Sequence, residues 1–457
     1  GYTFPALFRV GNDGWMLISE TGTDGGYAGC ALSEYKNGEG YTVAFPSHGQ
    51  NAGLGSDGCG LSLPASTPWR TITVGSTLKP IVETTIPFDV VKAKYPASQN
   101  YAPGRYVWSW IIWQDESINY DDQKAFIDMA AQMGYEYSLI DANWDVEKNI
   151  GRKRMAELSK YAASKGVRLI LWYNSNGSWN DAPQTPRNLM NTVLQRRKEM
   201  KWLKETGIAG IKVDFFGGDK QETMQLYEDI LADANDFGIF VIFHGCTLPR
   251  GWERMYPNFI ASEAVRASEN VYFNEESAKS EAQELATFAF TRNAVAAMDY
   301  GGTMLNKYFS RDNKSRHARH TSDILEIAAA YITQSDVQCV GIMPNNLNEL
   351  PQFELDMLKE IPAAWDETQF IDGYPGKYFI VARRKGNDWY VAGLNAGDKE
   401  LKLTLKLPMF AGKQVTYYND RPAKGGALPQ GQMQKLKVNT KGEAKVVIQP
   451  QGGLLLQ

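Results

Sequence analysis

Residues 207–218 read GIAGIKVDFFGG, and this stretch decides the predicted fold. An apolar run of strand length, residues 208–213, stops at Asp214, and two glycines follow within four residues. In a parallel-stranded barrel, the residues at the carboxyl end of each strand face the catalytic mouth. A carboxylate in that position is therefore expected to take part in chemistry, and the question becomes which residue is its partner.

Composition indicates a globular protein with a large core. The chain has 457 residues, of which 43% are hydrophobic and 22% are charged. A net charge of -4 argues against a nucleic-acid binder, which usually shows a basic face. No apolar run is long enough to span a membrane. The 12 Trp and 23 Tyr favour sugar binding, because aromatic rings cover the apolar face of a pyranose, although any one ring is more often part of a core.

The four cysteines show no CxxC pair, which argues against a zinc or iron–sulfur site. Cys30 and Cys59 could pair in an exported protein, a question that the sequence leaves open. The chain begins at Gly1 with neither an initiator Met nor a signal segment. We therefore expect a processed or truncated product.

Three segments differ in their pattern of apolar and polar residues, and this difference predicts three domains in an α/β protein. Residues 1–97 carry short alternating apolar runs broken by Gly, Asn and Asp, which is typical of part of a β-sandwich. Residues 98–366 alternate strand and helix, which predicts right-handed βαβ units and a catalytic (β/α)₈ TIM barrel. Residues 367–457 return to strands separated by turns, which predicts a C-terminal antiparallel β-sandwich.

Polar and aromatic residues follow successive predicted strands of the barrel. If the barrel closes, its strand ends bring them to one pocket. For each residue alone, a polar group satisfied by a loop is an equally good interpretation, but together they predict a polar, aromatic-lined active site. They are Trp108, Trp110, Asp141, Asn143, Trp144, Tyr173, Asn174, Lys212, Asp214, His244, Glu263, Glu269, Asp299 and Tyr300.

Two carboxylates from different strands suggest acid–base work on a glycosidic bond. Strand alternation puts Lys212 and Asp214 on the same face, so that the ammonium would keep Asp214 ionised as a nucleophile requires. Glu269 follows the strand that ends at Glu263 and could protonate a leaving oxygen, whereas solvated loop charges are the alternative for both glutamates. HExxH, GxSxG, Walker and EF-hand motifs are absent. The spacing alone does not separate glycoside hydrolysis from other two-carboxylate chemistry.

Long stretches of the chain resemble glycoside hydrolase family 97, and the resemblance covers essentially its whole length. The most specific are SWIIWQDESINYDDQKAFIDMAAQMGYEYSLIDANWD (109–145), GIKVDFFGGDKQ (210–221), FHGCTLPRGWERMYPNFIASEAVRASEN (243–270) and FTRNAVAAMDY (290–300). The family implies a barrel between an N-terminal β-super-sandwich and a C-terminal β-sandwich. It also implies exo-action on terminal sugars, a calcium ion, and a periplasmic or otherwise exported location.

The resemblance also assigns catalytic roles. Retaining members of the family carry an aspartate nucleophile in a motif like KVDFF, which falls on Asp214. Inverting members place a glutamate base after the His of the FH motif, where this chain has Gly245. The resemblance therefore implies retention, with Glu269 as the general acid/base. The family's calcium ligands fall on Glu20, Glu263 and Glu269.

The function implied is that of an exo-acting α-galactosidase working by calcium-dependent double displacement. A β-L-arabinopyranosidase of the same family is the alternative, and a catalytically inactive carbohydrate-binding protein is the alternative of another class. The expected partners are an oligosaccharide or glycoside and, because family members have a much longer N-terminal sandwich, a polypeptide that supplies its missing part. The expected substrate-binding residues are Trp108, Trp110, Asp141, Trp144, Asn174, Lys212 and His244.

Overall fold

A computed structural model of the chain describes residues 2–422 and 428–457, which form a parallel barrel between two antiparallel β parts. The N-terminal part has five strands and two short helices: β1 (Ala6–Val10), β2 (Gly14–Thr21), β3 (Ala31–Leu32), β4 (Val43–Ala44), β5 (Trp69–Gly75), α1 (Lys79–Val82) and α2 (Ile86–Asp89). β1, β2 and β5 pair in that order into an antiparallel sheet, and β3 pairs with β4.

The central part is built around seven parallel strands. They are β6 (Gly104–Trp108), β7 (Tyr137–Ile140), β8 (Arg168–Asn174), β9 (Gly210–Asp214), β10 (Phe240–Phe243), β11 (Phe259–Ser262) and β12 (Val337–Cys339). Their spatial order is β11-β10-β9-β8-β7-β6-β12, so that each strand except the last lies beside its neighbour in sequence. This order and the parallel pairing confirm the predicted TIM-like barrel.

The eighth barrel position is occupied by a bridge instead of a strand. Met298 makes a parallel bridge to Ser262 at the end of β11, and the backbone N–H of Asp299 donates to the Ser262 carbonyl at 3.0 Å. Residues 294–298 read AVAAM, and alanine has a low preference for extended structure. The barrel is therefore nearly closed by seven strands where the sequence predicted eight.

Helices surround the barrel and connect its strands. Three of the long helices end at a glycine with positive φ, at Gly134 (72°), Gly207 (83°) and Gly238 (74°), which is the backbone conformation that ends a helix with least strain. The helices of this part are α3 (Trp110–Trp113), α4 (Tyr120–Met133), α5 (Gly151–Ser164), α6 (Val193–Thr206), α7 (Gln221–Phe237), α8 (Trp252–Met255), α9 (Ser268–Phe273), α10 (Glu275–Phe288), α11 (Arg292–Val295), α12 (Asp323–Ile332), α13 (Asn346–Glu349) and α14 (Gln352–Lys359).

The C-terminal part is antiparallel, as predicted. Its strands are β13 (Glu367–Tyr374), β14 (Tyr378–Lys385), β15 (Asp388–Asn395), β16 (Leu401–Lys406), β17 (Gln414–Asp420), β18 (Gly431–Lys437), β19 (Glu443–Ile448) and β20 (Gly452–Leu456). Six of them form a sheet in the order β13-β14-β15-β20-β17-β18, and β16 pairs with β19. A separate core of aliphatic and aromatic side chains, which includes Leu405, Val415 and Leu454, fills this part.

A buried ion-pair network joins the N-terminal sheet to the barrel. Glu20 on β2 is fully buried, and its carboxylate lies 2.8 Å from Arg70 on β5 and 2.8 Å from Arg250 in the loop after β10. The backbone N–H of Cys30 donates to the same carboxylate at 3.0 Å. This arrangement does not fit the expected role of Glu20 as a calcium ligand, because two guanidinium groups already neutralise its charge. Glu20 instead ties two parts of the protein together.

Two further sequence questions have structural answers. None of the four cysteines, all of which lie in described parts of the chain, forms a disulfide, and the Cys59 sulfur accepts a hydrogen bond from the Ala28 N–H at 3.0 Å. Across residues 2–422 and 428–457, no helix combines the length and the apolar character needed to cross a membrane.

Replacing Glu20 by Ala should destabilise the protein strongly. The change leaves Arg250 buried, and Arg70 partly buried, without their shared counter-charge, and removing one partner of a buried pair costs about 3–5 kcal/mol. Thermal and urea unfolding of the purified variant would measure this loss.

The matched control is Glu39→Ala, which breaks only a surface pair with Lys36 in which both side chains are about two-thirds exposed. Such pairs contribute about 0–1 kcal/mol. Equal losses in the two variants would contradict a structural role for the Glu20 network.

Candidate active site

The carboxyl end of β9 presents a cation and an anion to the barrel interior. Lys212 and Asp214 alternate along the strand with Ile211 and Val213, which are fully buried and belong to the hydrophobic core. The indole N–H of Trp172 donates to Asp214 Oδ2 at 3.0 Å, and the backbone N–H of Phe215 donates to Oδ1 at 2.7 Å. Both oxygens of Asp214 are therefore held in a defined orientation.

The Lys212 ammonium lies at the centre of three carboxylates. Its Nζ is 3.1 Å from Asp141 Oδ2, 3.8 Å from Glu269 Oε1 and 3.9 Å from Asp214 Oδ2. Burial opposes the charged form of this lysine, but the three carboxylates outweigh burial and raise its pKa above the ordinary value. The structure thus brings Asp214, at the end of β9, and Glu269, at the start of α9, to one buried cation.

The pKa of Asp214 is raised above its ordinary value. Burial is the main cause, while the charges of Lys212 and His244 and the hydrogen bond from Trp172 act in the opposite direction. Lys212 does lower the pKa of Asp214, as we expected of a nearby ammonium. Burial, which the sequence does not show, determines the net direction.

His244 follows β10 and is oriented by an acid behind it. Its Nε2 lies 2.8 Å from Asp299 Oδ2, and the Tyr106 hydroxyl donates to both oxygens of Asp299 at 2.8 and 2.9 Å. Burial and Lys212 lower the pKa of His244, but Glu263, Asp299 and Glu269 raise it to about 10. Without a bound metal ion, these carboxylates therefore favour the protonated imidazole.

Glu263 and Glu269 meet on the other side of the imidazole. His244 Nδ1 is 3.5 Å from Glu269 Oε1 and 3.8 Å from Glu263 Oε1, and the Gly245 N–H donates to Glu263 Oε2 at 3.0 Å. Burial raises the pKa of Glu263 to about 7. Burial also raises the pKa of Glu269, but His244 and Lys212 outweigh it and lower that pKa.

These residues could hold a metal ion. One ligand atom from each of His244, Glu263 and Glu269 lies within 4.8 Å of the others. His244 Nδ1 is buried and makes no hydrogen bond of ordinary length within the described residues. The two carboxylates suit a hard cation such as Ca²⁺, which prefers oxygen ligands. Glu20, the third expected ligand, is held elsewhere by its arginines.

Gly245 has no room for a side chain. Its φ is +46°, and a Cβ at this position would lie 2.7 Å from Asp214 Oδ1 and 2.9 Å from the Phe215 nitrogen. A carboxylate side chain at residue 245 would therefore collide with Asp214 as Asp214 is placed here. The two alternatives that the family resemblance raised, an acid after the histidine or an Asp on β9, exclude each other sterically in this structure.

Two of the predicted tryptophans border this cluster. The Trp108 indole N–H donates to Asp141 Oδ2 at 2.8 Å, and Lys212 Nζ lies 4.0 Å from the centre of the Trp108 ring. Trp110 stacks on Trp108 with 5.6 Å between ring centres. The structure therefore brings together eight of the predicted residues: Trp108, Trp110, Asp141, Lys212, Asp214, His244, Glu263 and Glu269.

Two predicted substrate-binding residues do not fit that role. Trp144 is fully buried, donates to the Trp172 carbonyl at 2.9 Å and stacks on Trp202 of α6, so that it packs between barrel and helix. Asn174 is also fully buried, and its side chain accepts from the Gly177 N–H at 2.8 Å and from Asn180 at 2.9 Å. Their expected sugar contacts are wrong here, because the surrounding loop or helix already uses both side chains.

Two residues of the site, Trp172 and Tyr106, were not predicted, and Asp299 was predicted as a strand-end residue of the pocket without a role. Trp172 orients Asp214, and Asp299 with Tyr106 orients His244. Trp172 lies two residues before Asn174 on β8, so that strand alternation could have indicated that it faces the barrel interior. Asp299 was noted as a strand end, but its contact with His244 arises from barrel closure and has no signal in the sequence.

Comparison with known proteins gives the same family for all three parts of the chain. Residues 1–92 match the glycosyl-hydrolase 97 N-terminal domain, residues 102–265 match glycoside hydrolase 97, and residues 364–457 match the glycosyl-hydrolase 97 C-terminal, oligomerisation domain. The crystal structure of a beta-arabinopyranosidase is 53% identical in sequence, with a TM-score of 0.96, and the match covers 100% of this chain and 72% of that one.

Two curated relatives are more distant. A probable retaining alpha-galactosidase of Streptomyces bingchenggensis is 28% identical over 407 residues, which are 87% of this chain and 58% of that protein. A retaining alpha-galactosidase of Bacteroides thetaiotaomicron is 27% identical over 421 residues, which are 86% of this chain and 60% of that protein. The chain thus spans less than two thirds of the length of either. On the three domain matches and the 53% identity, the chain belongs to glycoside hydrolase family 97.

Proposed function

We propose that the protein is a retaining exo-glycosidase in which Asp214 is the nucleophile and Glu269 the general acid/base. The observation that carries the proposal is the placement of both carboxylates within 4 Å of the Lys212 ammonium, on the ends of separate barrel segments. Retaining glycosidases use two carboxyl groups about 5 Å apart on either side of the anomeric carbon. The lack of space for a side chain at Gly245 supports the same branch of the family.

The chemistry follows in two steps. Asp214 Oδ1 or Oδ2 attacks the anomeric carbon while the bond to the leaving oxygen breaks, and that oxygen takes the proton of Glu269. Glu269 then removes a proton from a water molecule, whose oxygen displaces Asp214 from the sugar. The hydrogen bonds from Trp172 and the Phe215 N–H keep the nucleophile aimed in both steps. Asp141, Lys212 and His244 are suited to hold sugar hydroxyls.

Glu269 must carry a proton in the first step, although Lys212 and His244 lower its pKa. A donor role therefore requires that a sugar entering the pocket lengthen one of those two contacts. Hydroxyl groups that hydrogen-bond to Lys212 or His244 would do so, because they would draw part of the positive charge away from Glu269.

For the substrate, we propose a terminal β-L-arabinopyranoside, with α-galactosides as second candidates. The first is supported by 53% identity to a beta-arabinopyranosidase over the whole chain, and the second by the names of the relatives at 27–28% identity. The two sugars share ring stereochemistry and differ by one hydroxymethyl group, which is worth about 1–3 kcal/mol in a pocket. An exported location stays a prediction.

We also propose that Glu263 and Glu269 hold a calcium ion. Two carboxyl groups that converge beside a buried ring nitrogen without an ordinary hydrogen bond supply the oxygen ligands that calcium prefers. When bound, calcium would neutralise these charges and coordinate sugar hydroxyls. Glu269 can serve both metal and proton transfer if only one of its oxygens contacts the ion.

Replacing Asp214 by Gly should lower kcat by roughly 10³-fold or more, because no intermediate can form. Added azide or formate should restore part of the activity by attacking from the vacated side, and azide should yield a glycosyl azide of inverted configuration. Asp398→Gly, which alters an exposed loop aspartate, is the control and should respond to neither anion. Full activity of Asp214→Gly without an added anion would rule out the nucleophile assignment.

A panel of nitrophenyl glycosides tests the substrate. We expect β-L-arabinopyranoside to be cleaved about 10- to 200-fold more efficiently than α-galactoside, as one small group in a pocket allows, and α-glucoside to be inert. NMR of the first product should show retained configuration. A reversed order would favour the α-galactosidase, and no release from any glycoside would favour the inactive binding protein.

Calcium removal tests the metal. Exhaustive chelation should lower both activity and melting temperature, and added calcium should restore them, because an ion that binds only the folded state stabilises it. In Glu263→Gln the melting temperature should no longer rise with calcium, whereas the exposed control Glu276→Gln should behave as the unmodified protein does. A melting temperature indifferent to chelation would reject the site.

A further inference from the structure

An aromatic row leads from the catalytic cluster to the surface. Trp108 is 1% exposed and contacts Lys212; Trp110 stacks on it with 5.6 Å between ring centres and 18° between planes. Phe273 then meets Trp110 edge to face, with 5.9 Å between ring centres, and is 55% exposed. Exposure therefore rises along the row, and its outer member leaves a large apolar ring in contact with water.

Phe273 lies close to the proposed acid, Glu269, on the same helix. Glu269 and Phe273 lie on the same short helix, α9, four residues apart. Residues at that spacing lie on one face of a helix, one above the other. Phe273 is 55% exposed, against 24% for the Glu269 side chain, so that it lies on the solvent side of Glu269, where we expect the group attached to the leaving oxygen.

The rim of the row is polar. The Trp110 indole N–H donates to Asp115 Oδ1 at 2.7 Å, and Asp115 is exposed. An exposed aromatic ring near a carboxylate suits a sugar ring, because the apolar face of a pyranose stacks on the ring while its hydroxyls donate to the carboxylate.

We propose that Trp110 and Phe273 form the platform for the leaving-group sugar, so that the substrate is a glycoside whose second unit is itself a pyranose. This inference rests on the proposed function, since Glu269 marks the leaving oxygen. Trp110 also supports Trp108, so that Phe273, which is the more exposed, is the residue to change.

The experiment compares two substrates of the same terminal sugar in the full chain. One is a β-L-arabinopyranosyl disaccharide, whose leaving group would occupy the platform; the other is β-L-arabinopyranosyl fluoride, whose leaving group has no ring and needs no proton donor. In Phe273→Ala, kcat/KM for the disaccharide should fall about tenfold relative to that for the fluoride, mainly through KM, as expected for loss of one stacking partner.

Phe273→Tyr should restore the ratio to within about twofold of the unmodified value, because the ring is retained. Met433→Ala removes an equally exposed side chain on β18 and is the control; it should leave the ratio as it is.

A nitrophenyl glycoside tests whether the platform selects a sugar or any stacked ring. An Asp115→Asn change should weaken cleavage of the disaccharide more than cleavage of the nitrophenyl compound, because the nitrophenyl ring has no hydroxyls to donate to Asp115.

Three results would overturn the proposal. Equal losses for disaccharide and fluoride in Phe273→Ala, or no loss for either, would remove the platform while leaving the proposed function intact. Equal effects of Asp115→Asn on both ring-bearing substrates would show a platform that does not select a sugar. If the unmodified protein cleaves neither disaccharide nor fluoride, the proposed arabinopyranoside substrate fails, and the platform for its leaving group with it.

Discussion

The active site depends on one buried ammonium. Lys212 is almost completely enclosed by the barrel, and an isolated charge there would be very costly. Three carboxylates, two from strand ends and one from the start of α9, offset that cost and are in turn held near one another by the cation. Without Lys212, the mutual repulsion of Asp141, Asp214 and Glu269 would favour their protonation or separation.

Around this ion cluster, the orientation of each group is set by a neighbour that does not itself need to touch a sugar. Trp172 and the Phe215 backbone orient Asp214, while Asp299, held by Tyr106, orients His244. Because Gly245 has no side chain, the Asp214 carboxylate can occupy the space beside it. A site of this kind needs few reactive residues and many that restrict their movement.

The two glutamates of the cluster have pKa values that are shifted in opposite directions. Glu263 has a pKa raised to about 7 by burial, whereas the cations lower the pKa of Glu269, although the two carboxylates share one imidazole. The pKa of Glu269 therefore depends on its contacts with Lys212 and His244. The N-terminal sheet contributes by a different route, because Glu20 anchors it to the loop that carries Arg250.

Local pattern was enough to predict the barrel, the C-terminal antiparallel strands and the strand-end residues of the cluster. Alternation along β9 puts Lys212 and Asp214 on the same face, and the barrel then decides that this face points inward. The sequence could not show that Trp144 packs on a helix, or that Glu20 meets Arg70 and Arg250, since these partners are up to 230 residues apart. It also could not show the shape of the loop after β8, in which Asn174 binds Gly177 and Asn180. Nor could it show that one barrel position would be a bridge at Met298. Only tertiary structure decides which polar side chains are left over for chemistry, because that depends on every other group buried beside them.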